Sequence, residues 1–225
     1  MLLLVTDTSG KQGRVALARA VETGRVEVIE ESPLAGGAFS AQLVPQIAAL
    51  LTKYALSKAD VDAFVVVSGP GSFTGLRVGL AAIKALAEIL RKPIVPVSLL
   101  EVIALASHRD GKVVAALDAG RGEVYAGEYD ITAQSVTARR ESLLNKDEFL
   151  SLPNGSAIAT PVTSLAEAAR AAGFPVLLID DIRAEMIAEV GWKNLQAGET
   201  VTPENLEANY IRRTDAEIFA KPSSS

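Results

Sequence analysis

One pattern of residues occurs twice in this chain, and it restricts the fold more than any other feature. The first copy reads LLVTDTSG at residues 3–10, and the second reads VVAALDAG at residues 113–120. In each copy an apolar strand ends in an aspartate, small residues and a glycine turn, and two more strand-like segments follow. Such self-similarity indicates two structurally related units.

The order of helices and strands after each copy predicts how the layers are arranged. Apolar periodicity predicts helices over 40–54, 73–90, 99–107, 164–172 and 183–195, with strands at 63–67, 94–97, 157–160 and 176–179. Pro45 predicts that the first of these helices has its first turn near that position. We therefore expect an α/β fold with two similar lobes, residues 1–105 and 106–225, each a mixed sheet covered by helices. The last segment of the chain can also pack back on the first lobe.

Composition excludes several classes of function. The chain has 225 residues, 49% of them hydrophobic, and a net charge of -5, which argues against a protein that grips nucleic acid by itself. It has no cysteine and only one histidine, His108, so we predict no disulfide, no thiolate chemistry, no metal site and no cofactor. Neither a signal peptide nor a stretch long enough to span a membrane is evident, which predicts a cytoplasmic protein without membrane contact.

The two aspartate loops are candidates for phosphate binding. They contain Asp7, Thr8 and Ser9 in the first copy, and Asp118 and Ala119 in the second. Paired loops of this kind resemble those of the actin, sugar-kinase and Hsp70 ATPase superfamily, whose lobes have an RNase H-like fold. Small residues let backbone N–H groups approach an anion, and a carboxylate can hold hydrated Mg²⁺. The alternative is a pair of tight turns, which the same residues favour.

A glycine-rich turn, SGPGSFTGLR at residues 68–77, joins an apolar strand to the helix predicted at 73–90. It does not match the Walker pattern, because no Lys-Ser or Lys-Thr follows Gly75, and its glycine spacing fails the dinucleotide pattern. Glycine permits positive φ, Pro70 fixes one dihedral angle, and Ser72 or Thr74 can cap the helix. The turn therefore predicts a rigid helix start.

The helix behind this turn is apolar on two faces. Leu76, Leu80 and Ile83 lie on the face that suits packing on a sheet. The second face is also apolar where a surface helix should be polar, and it consists of Gly75, Val78, Gly79, Ala82, Ala85, Leu86 and Ile89. Either another protein covers this stripe, or a helix of the same chain does, such as the segment 40–54 or the C-terminal segment. The residues alone leave both open.

The run GPGSFTGLRVG at residues 69–79 resembles the signature of the TsaB family, also called YeaZ. Further matches follow in the family's order and span most of the chain: DTS at 7–9, PVSLLE at 96–101, DA at 118–119, GEVY at 122–125 and YIR at 210–212. The chain departs from the family pattern at two places. It has Phe39-Ser40 where the family often has His-Ser, and it has Asp118-Ala119-Gly120 where the family has Asp-Ala-Arg, so that its arginine, Arg121, comes one place later. The second departure weakens any nucleotide contact in the second lobe.

The resemblance implies a non-catalytic accessory subunit. Family members pair with the catalytic TsaD subunit, which carries an HxxxH metal site, in threonylcarbamoylation of the adenosine beside the anticodon of tRNAs reading codons that start with A. It also implies recruitment of the ATPase TsaE, a homodimer when the partner is missing, and tRNA contact only through the complex. The implied interface residues are Gly71, Phe73, Gly75, Val78, Gly79, Ala82 and Leu86. On this hypothesis Gly79→Arg should abolish pairing and leave the lobes folded.

Two other functions compete with this one. A small ATP-dependent kinase or ATPase of the same superfamily would need an acidic general base and insertions that bind the nucleotide, and usually a longer chain. A peptidase would need a cysteine, paired histidine ligands or a serine–histidine pair, and the chain offers His108 alone.

Overall fold

The computed structural model describes residues 1–21, 25–132, 136–153 and 155–211, which form ten strands, six α-helices and one short 3-10 helix (Lys58–Asp60). The strands are β1 (Leu2–Asp7), β2 (Gln12–Ala20), β3 (Val26–Ala35), β4 (Ala63–Gly69), β5 (Ile94–Ser98), β6 (Gly111–Gly120), β7 (Glu123–Ile131), β8 (Val136–Asn145), β9 (Ala157–Thr160) and β10 (Val176–Leu178). The helices are α1 (Phe39–Lys53), α2 (Phe73–Leu90), α3 (Leu99–Ala106), α4 (Lys146–Leu150), α5 (Thr163–Ala171) and α6 (Ala184–Gln196).

The strands form two five-stranded sheets with the same topology. The first has the order β3-β2-β1-β4-β5, and the second, read from its β8 edge, has the order β8-β7-β6-β9-β10. In both, the first three strands in sequence are antiparallel and the last two join them in parallel. Strands β1 and β4 are buried on both faces, which explains their continuous apolar sequences. The predicted duplication and the α/β fold are confirmed.

The helices divide the molecule into layers with three apolar cores. One core lies between the first sheet and helices α1 and α2, and another lies on the outer face of the second sheet beneath α5. The third core lies between the two sheets. It contains α3, which packs on β6 and β7 of the second sheet, and α6, which packs on the first sheet. The two halves of the chain therefore share apolar burial, the main favourable contribution to folding.

Residues 201–211, here called the C-terminal strap, follow α6 and run along the first sheet. Val201 forms an antiparallel bridge with Ile94 of β5, and Leu206 is 1% exposed in the core beneath α1 and α2. The backbone N–H of Asn209 donates to the carbonyl of Ser68 at 2.8 Å. Arg212, the last residue of the YIR match, lies outside the described residues.

The structure differs from the sequence-based expectations in three elements. Helix α1 begins at Phe39, so placing Pro45 in its first turn was wrong; the proline lies inside the helix on the exposed side, where its missing N–H is best tolerated. The sequence pattern predicts a strand at 136–141, but strand β8 continues to Asn145 because that residue pairs with Glu123 of β7. The short helix α4 was not predicted; Asn145 and Glu148 form its capping box.

Within the described part of the chain, no helix combines the length and the apolar character needed to cross a membrane.

Candidate functional site

One hydrogen bond caps the first turn of α2, and two more fix it to the loop after β1. The Ser72 hydroxyl accepts from the Gly75 N–H at 3.3 Å, which confirms serine as the helix cap. The backbone N–H of Ser72 donates to the carbonyl of Ser9 at 2.7 Å. The Thr8 hydroxyl donates to the carbonyl of Gly75 at 2.8 Å. The glycine-rich turn therefore joins α2 to the first aspartate loop as one rigid unit.

Three of the glycines predicted to meet a partner instead contact this loop of the same chain. A Cβ on Gly75 would lie 2.1 Å from the carbonyl oxygen of Thr8, one on Gly79 would lie 2.2 Å from the Thr8 hydroxyl, and one on Gly71 would lie 2.4 Å from the carbonyl oxygen of Ser9. Gly75 and Gly79 are buried, so their placement on an open stripe was wrong. The premise that position 79 lies on an open face is therefore wrong, and we now expect Gly79→Arg to disrupt the first lobe rather than leave the lobes folded.

The rest of the predicted stripe is partly covered by α1. Val78, Ala82 and Leu86 are half-buried and pack against the core that α2 shares with α1. Ala85 is exposed, and Ile89 is 78% exposed. The two alternatives left open by the sequence thus each account for part of the stripe, because a helix of the same chain seals one edge and leaves the other apolar edge in solvent.

Helix α1 continues this apolar edge. Its polar flank faces β3, because the Gln42 side chain accepts from the Ala35 N–H and the Lys53 ammonium donates to Glu30. On the opposite flank, next to α2, Val44 is 51% exposed and Ala48 is exposed. Spacings of three or four residues place such side chains on one face of a helix. We call the resulting surface the two-helix face; it consists of Val44, Ala48, Val78, Ala82, Ala85 and Ile89.

An aromatic cluster lies beside the first turn of α2. The Phe73 and Tyr210 rings have centroids 5.2 Å apart, and the Arg77 guanidinium carbon lies 3.7 Å from the Phe73 centroid. The Arg77 Nε donates to the Tyr210 hydroxyl at 3.0 Å. Phe73 and Tyr210 remain 39% and 40% exposed. Phe73 was predicted as a contact residue, but its stacking with the C-terminal strap was not foreseen.

The two aspartate loops lie at a cleft of about 2090 Å³ between the halves of the molecule. Ser9, Asp118 and Ala119 line this cleft. Asp7 and Thr8 belong to the first loop but are buried, at 5% and 2% exposed, and do not line the cleft. The structure therefore brings three of the five predicted loop residues to one cavity.

Both aspartates already have partners within the chain. The Asp7 carboxylate accepts from the N–H and hydroxyl of Ser9 at 2.8 and 2.6 Å, and the Arg14 Nε lies 3.9 Å from its second oxygen. Asp118 accepts from the Gly120 N–H at 2.8 Å. These are the contacts of tight turns, with a guanidinium beside Asp7. Among the described residues, no acidic or histidine cluster is arranged to hold a metal ion.

Glu101 at the start of α3 has a perturbed acidity. Burial raises the pKa of Glu101 above its usual value, a hydrogen bond from Asn194 opposes this, and the carboxylates of Glu199 and Glu141 add to the increase. The carboxyl lies among residues that join the two halves, away from the cleft-lining loops. Its shift therefore reports burial at a structural position.

The interface residues predicted from the sequence include none from α1. Ala41, Val44 and Ala48 are exposed and follow one helical face, and this pattern is visible in the sequence. The large apolar residues Phe39, Leu43 and Ile47 are buried on the other face of α1. When only these large residues are considered, α1 looks like an ordinary amphipathic helix with one apolar face.

Comparison with known proteins gives consistent matches. The family model described as tRNA N6-adenosine threonylcarbamoyltransferase, TsaD, matches residues 33–217. The chain is 35% identical over 132 residues to the tRNA threonylcarbamoyladenosine biosynthesis protein TsaB of Bacillus subtilis, covering 57% of this chain and 55% of that protein. It is 32% identical over 186 residues to an uncharacterized protein of Mycobacterium tuberculosis, covering 81% of this chain and 79% of that one. The chain thus spans about half the length of the Bacillus protein.

Among solved structures, YeaZ from Pseudomonas aeruginosa superposes with a TM-score of 0.74 at 26% sequence identity. The match covers 93% of this chain and 99% of the Pseudomonas chain. Nearly the whole of that molecule is therefore represented, including both lobes. Two five-stranded sheets of the same topology, each covered by helices, form the two-lobed α/β architecture that the sequence predicts.

Proposed function

The chain belongs to the TsaB family, also called YeaZ, and from this premise we propose that it is an accessory subunit that binds and activates a TsaD-type catalytic subunit. The reaction of the complex is threonylcarbamoylation of the adenosine beside the anticodon in tRNAs that read codons starting with A. The names of the Bacillus TsaB protein and of the matching family model support this assignment. The chain itself contributes binding and has no turnover of its own.

The observation that carries the proposal is the two-helix face. Val44 is 51% exposed and Ile89 is 78% exposed, and Ala48 and Ala85 lie open beside them. Exposed apolar side chains on two helices in contact are typical of a protein interface, and small side chains let the backbone of a second helix come close. A pair of helices from a related subunit is the matching occupant, because subunits with the same fold can present the same two helices.

Histidine content supports an accessory role. The HxxxH metal site attributed to the catalytic subunits needs two histidines, and this chain has one, His108. His108 follows α3 with a φ of 47°, and its backbone N–H donates to the carbonyl of Leu105. The chain therefore cannot build the paired-histidine site from its own residues.

The remaining partners follow from the same proposal. A TsaE-type ATPase joins the assembled pair, and tRNA contacts the complex through the other subunits, in keeping with a net charge of -5. In the absence of the large subunit, two copies of the chain pair through the two-helix face. The complex acts in the cytoplasm.

Arg14 argues against the alternative of a kinase or ATPase. Its guanidinium contacts the carboxylates of Asp7, Glu31 and Asp181, so a built-in cation already lies beside the aspartate that would position Mg²⁺. Rapid ATP hydrolysis by the isolated chain would favour the kinase or ATPase over the accessory subunit.

The test is a pair of charged substitutions on the two-helix face. Ala85→Arg and Ala48→Arg add a long cation at exposed positions, so the isolated chain should keep its fold. In the complex the cation would be buried without a counter-ion, and removing or mismatching a partner in a buried pair typically costs about 3–5 kcal/mol, which is at least a hundredfold in affinity. Isothermal titration with the cognate TsaD-type subunit measures this loss.

The matched control is Ala171→Arg, an exposed alanine at the end of α5 in the second lobe. It should bind the large subunit like the unsubstituted chain. If both face variants bind as tightly as this control, the two-helix face is not the interface.

A further inference from the structure

The carboxylate of Glu141 connects parts of the molecule that are far apart in sequence. Its Oε1 accepts hydrogen bonds from the hydroxyls of Ser98 and Tyr129, each at 2.5 Å. Its Oε2 accepts from the side-chain amide of Asn209, also at 2.5 Å. The three donors come from β5 of the first sheet, β7 of the second sheet and the C-terminal strap.

The position of Glu141 makes these bonds a link between the lobes. Strands β5 and β8 are the edge strands of the first and second sheets, and Ser98 and Glu141 lie on them. Leu99, which follows Ser98, lines the cleft, as does Asn209. The carboxylate therefore joins the two sheets at the base of the cleft.

The three donors to the Glu141 carboxylate are all neutral side chains. Within the described residues no basic side chain lies within 4 Å of the Glu141 carboxylate, so neutral donors alone replace its lost hydration. Burial, followed by the negative charge of Glu141, raises the pKa of Tyr129 far above its usual value, so the phenol stays protonated and donates. Hydrogen bonds to an ionised acceptor are stronger than neutral ones.

The C-terminal strap carries this link to the start of α2. The backbone N–H of Asn209 donates to the carbonyl of Ser68 at the end of β4. The next residue, Tyr210, stacks on Phe73 and accepts from Arg77. Two consecutive strap residues thus connect the second lobe with the first turn of α2, one turn before Val78 of the two-helix face.

We propose that Glu141 and the C-terminal strap form an inter-lobe latch, which holds the cleft at its observed width and seats the first turn of α2. When the latch opens, the shared core keeps the lobes attached while the cleft side widens. The latch is a property of the chain alone. Its effect on binding of a partner at the two-helix face rests on the proposed function.

The first experiment measures the cleft directly in the isolated chain. Because the chain has no cysteine, Ser40→Cys and Arg121→Cys introduce the only two sites for spin labels, on opposite walls of the cleft. Double electron–electron resonance should give a narrow distance distribution. Asn209→Asp, which sets a second carboxylate against Glu141, should shift the distribution to longer distances and broaden it.

A reciprocal exchange distinguishes the latch from general destabilisation. In the double variant Glu141→Gln with Asn209→Asp, the glutamine amide can donate to the aspartate, so a donor–acceptor pair is restored with reversed polarity. The double variant should recover the narrow distribution. Glu207→Ala, which removes an exposed carboxylate from the strap, is the matched control and should leave the distribution unchanged. An unchanged distribution in Asn209→Asp would overturn the latch.

A second readout connects the latch to α2. Backbone hydrogen exchange of the first turn of α2 in the isolated chain should become about tenfold faster in Asn209→Asp and return in the double variant. Affinity for the TsaD-type subunit should fall in parallel. If exchange and cleft distance respond while affinity stays constant, the latch stands and its coupling to partner binding fails. If neither exchange nor distance responds, the latch fails whatever the affinity.

Discussion

Replacing Gly75 or Gly79 by alanine tests whether these glycines serve the first lobe. A Cβ at Gly79 would lie 2.2 Å from the Thr8 hydroxyl, which the threonine can relieve only by rotating and losing its hydrogen bond to the Gly75 carbonyl. That bond contributes about 1 kcal/mol and overpacking costs about 1–3 kcal/mol, whereas alanine gains about 1 kcal/mol over glycine in a helix. We expect Gly79→Ala to lower the free energy of unfolding by about 1–3 kcal/mol.

Gly75→Ala should be more damaging, because its Cβ would meet the backbone carbonyl of Thr8 at 2.1 Å, which no side-chain rotation relieves. We expect a loss at or above the upper end of the usual overpacking range, about 3 kcal/mol. In a chain of this length each kcal/mol lowers Tm by about 2–4 °C, so the two variants should differ visibly in a calorimetric scan.

The second-site change Thr8→Ala distinguishes a clash with the Thr8 side chain, expected at position 79, from a clash with the Thr8 backbone, expected at position 75. It removes the hydroxyl that Gly79→Ala meets, so the double variant Thr8→Ala with Gly79→Ala should be more stable than the sum of the single changes predicts. The same change should not rescue Gly75→Ala, because the clash there is with the backbone. Additive effects at Gly79, or equal rescue at both glycines, would refute the packing argument.

Two further predictions concern the shared core and the C-terminal strap. The raised pKa of Glu101 means that the folded chain binds the proton more tightly than the unfolded one, so this group destabilises the fold as pH rises from near 4.5 through its folded pKa. Glu101→Gln should therefore raise Tm relative to the unsubstituted chain by an amount that grows from pH 4 to pH 7, and a constant difference would contradict it. Leu206→Ala should cost about 2–5 kcal/mol in urea unfolding, because Leu206 is 1% exposed in the core beneath α1 and α2; an effect below about 1 kcal/mol would mean that the strap does not contribute to this core.

Most of the architecture is readable from the sequence because its signals are local and repeated. The short apolar runs of β1 and β4, bounded by turn residues, predict central strands, and Ser72 is a typical helix cap. The second copy of the strand pattern then determines the second sheet. These signals depend on neighbours within a few residues, so tertiary contacts do not override them.

The candidate site was less predictable, because its partners come from distant parts of the chain. Gly75 and Gly79 look like a surface for another helix, but small residues equally suit close contact with a loop, and only the position of Thr8 decides between these roles. The bonds of Glu141 join residues 43 and 68 positions away in the chain. No periodicity in the sequence indicates such pairs.

Site-specific crosslinking tests the two-helix face most directly. The chain has no cysteine, so Ile89→Cys carries a single photoreactive label on the most exposed large apolar residue of α2, and Ala171→Cys carries the same label on the second lobe. With the TsaD-type subunit present, the label at position 89 should crosslink to that subunit efficiently, and the label at position 171 should not. Equal crosslinking from both positions, or crosslinking from position 171 alone, would contradict the assignment of this face as the partner interface.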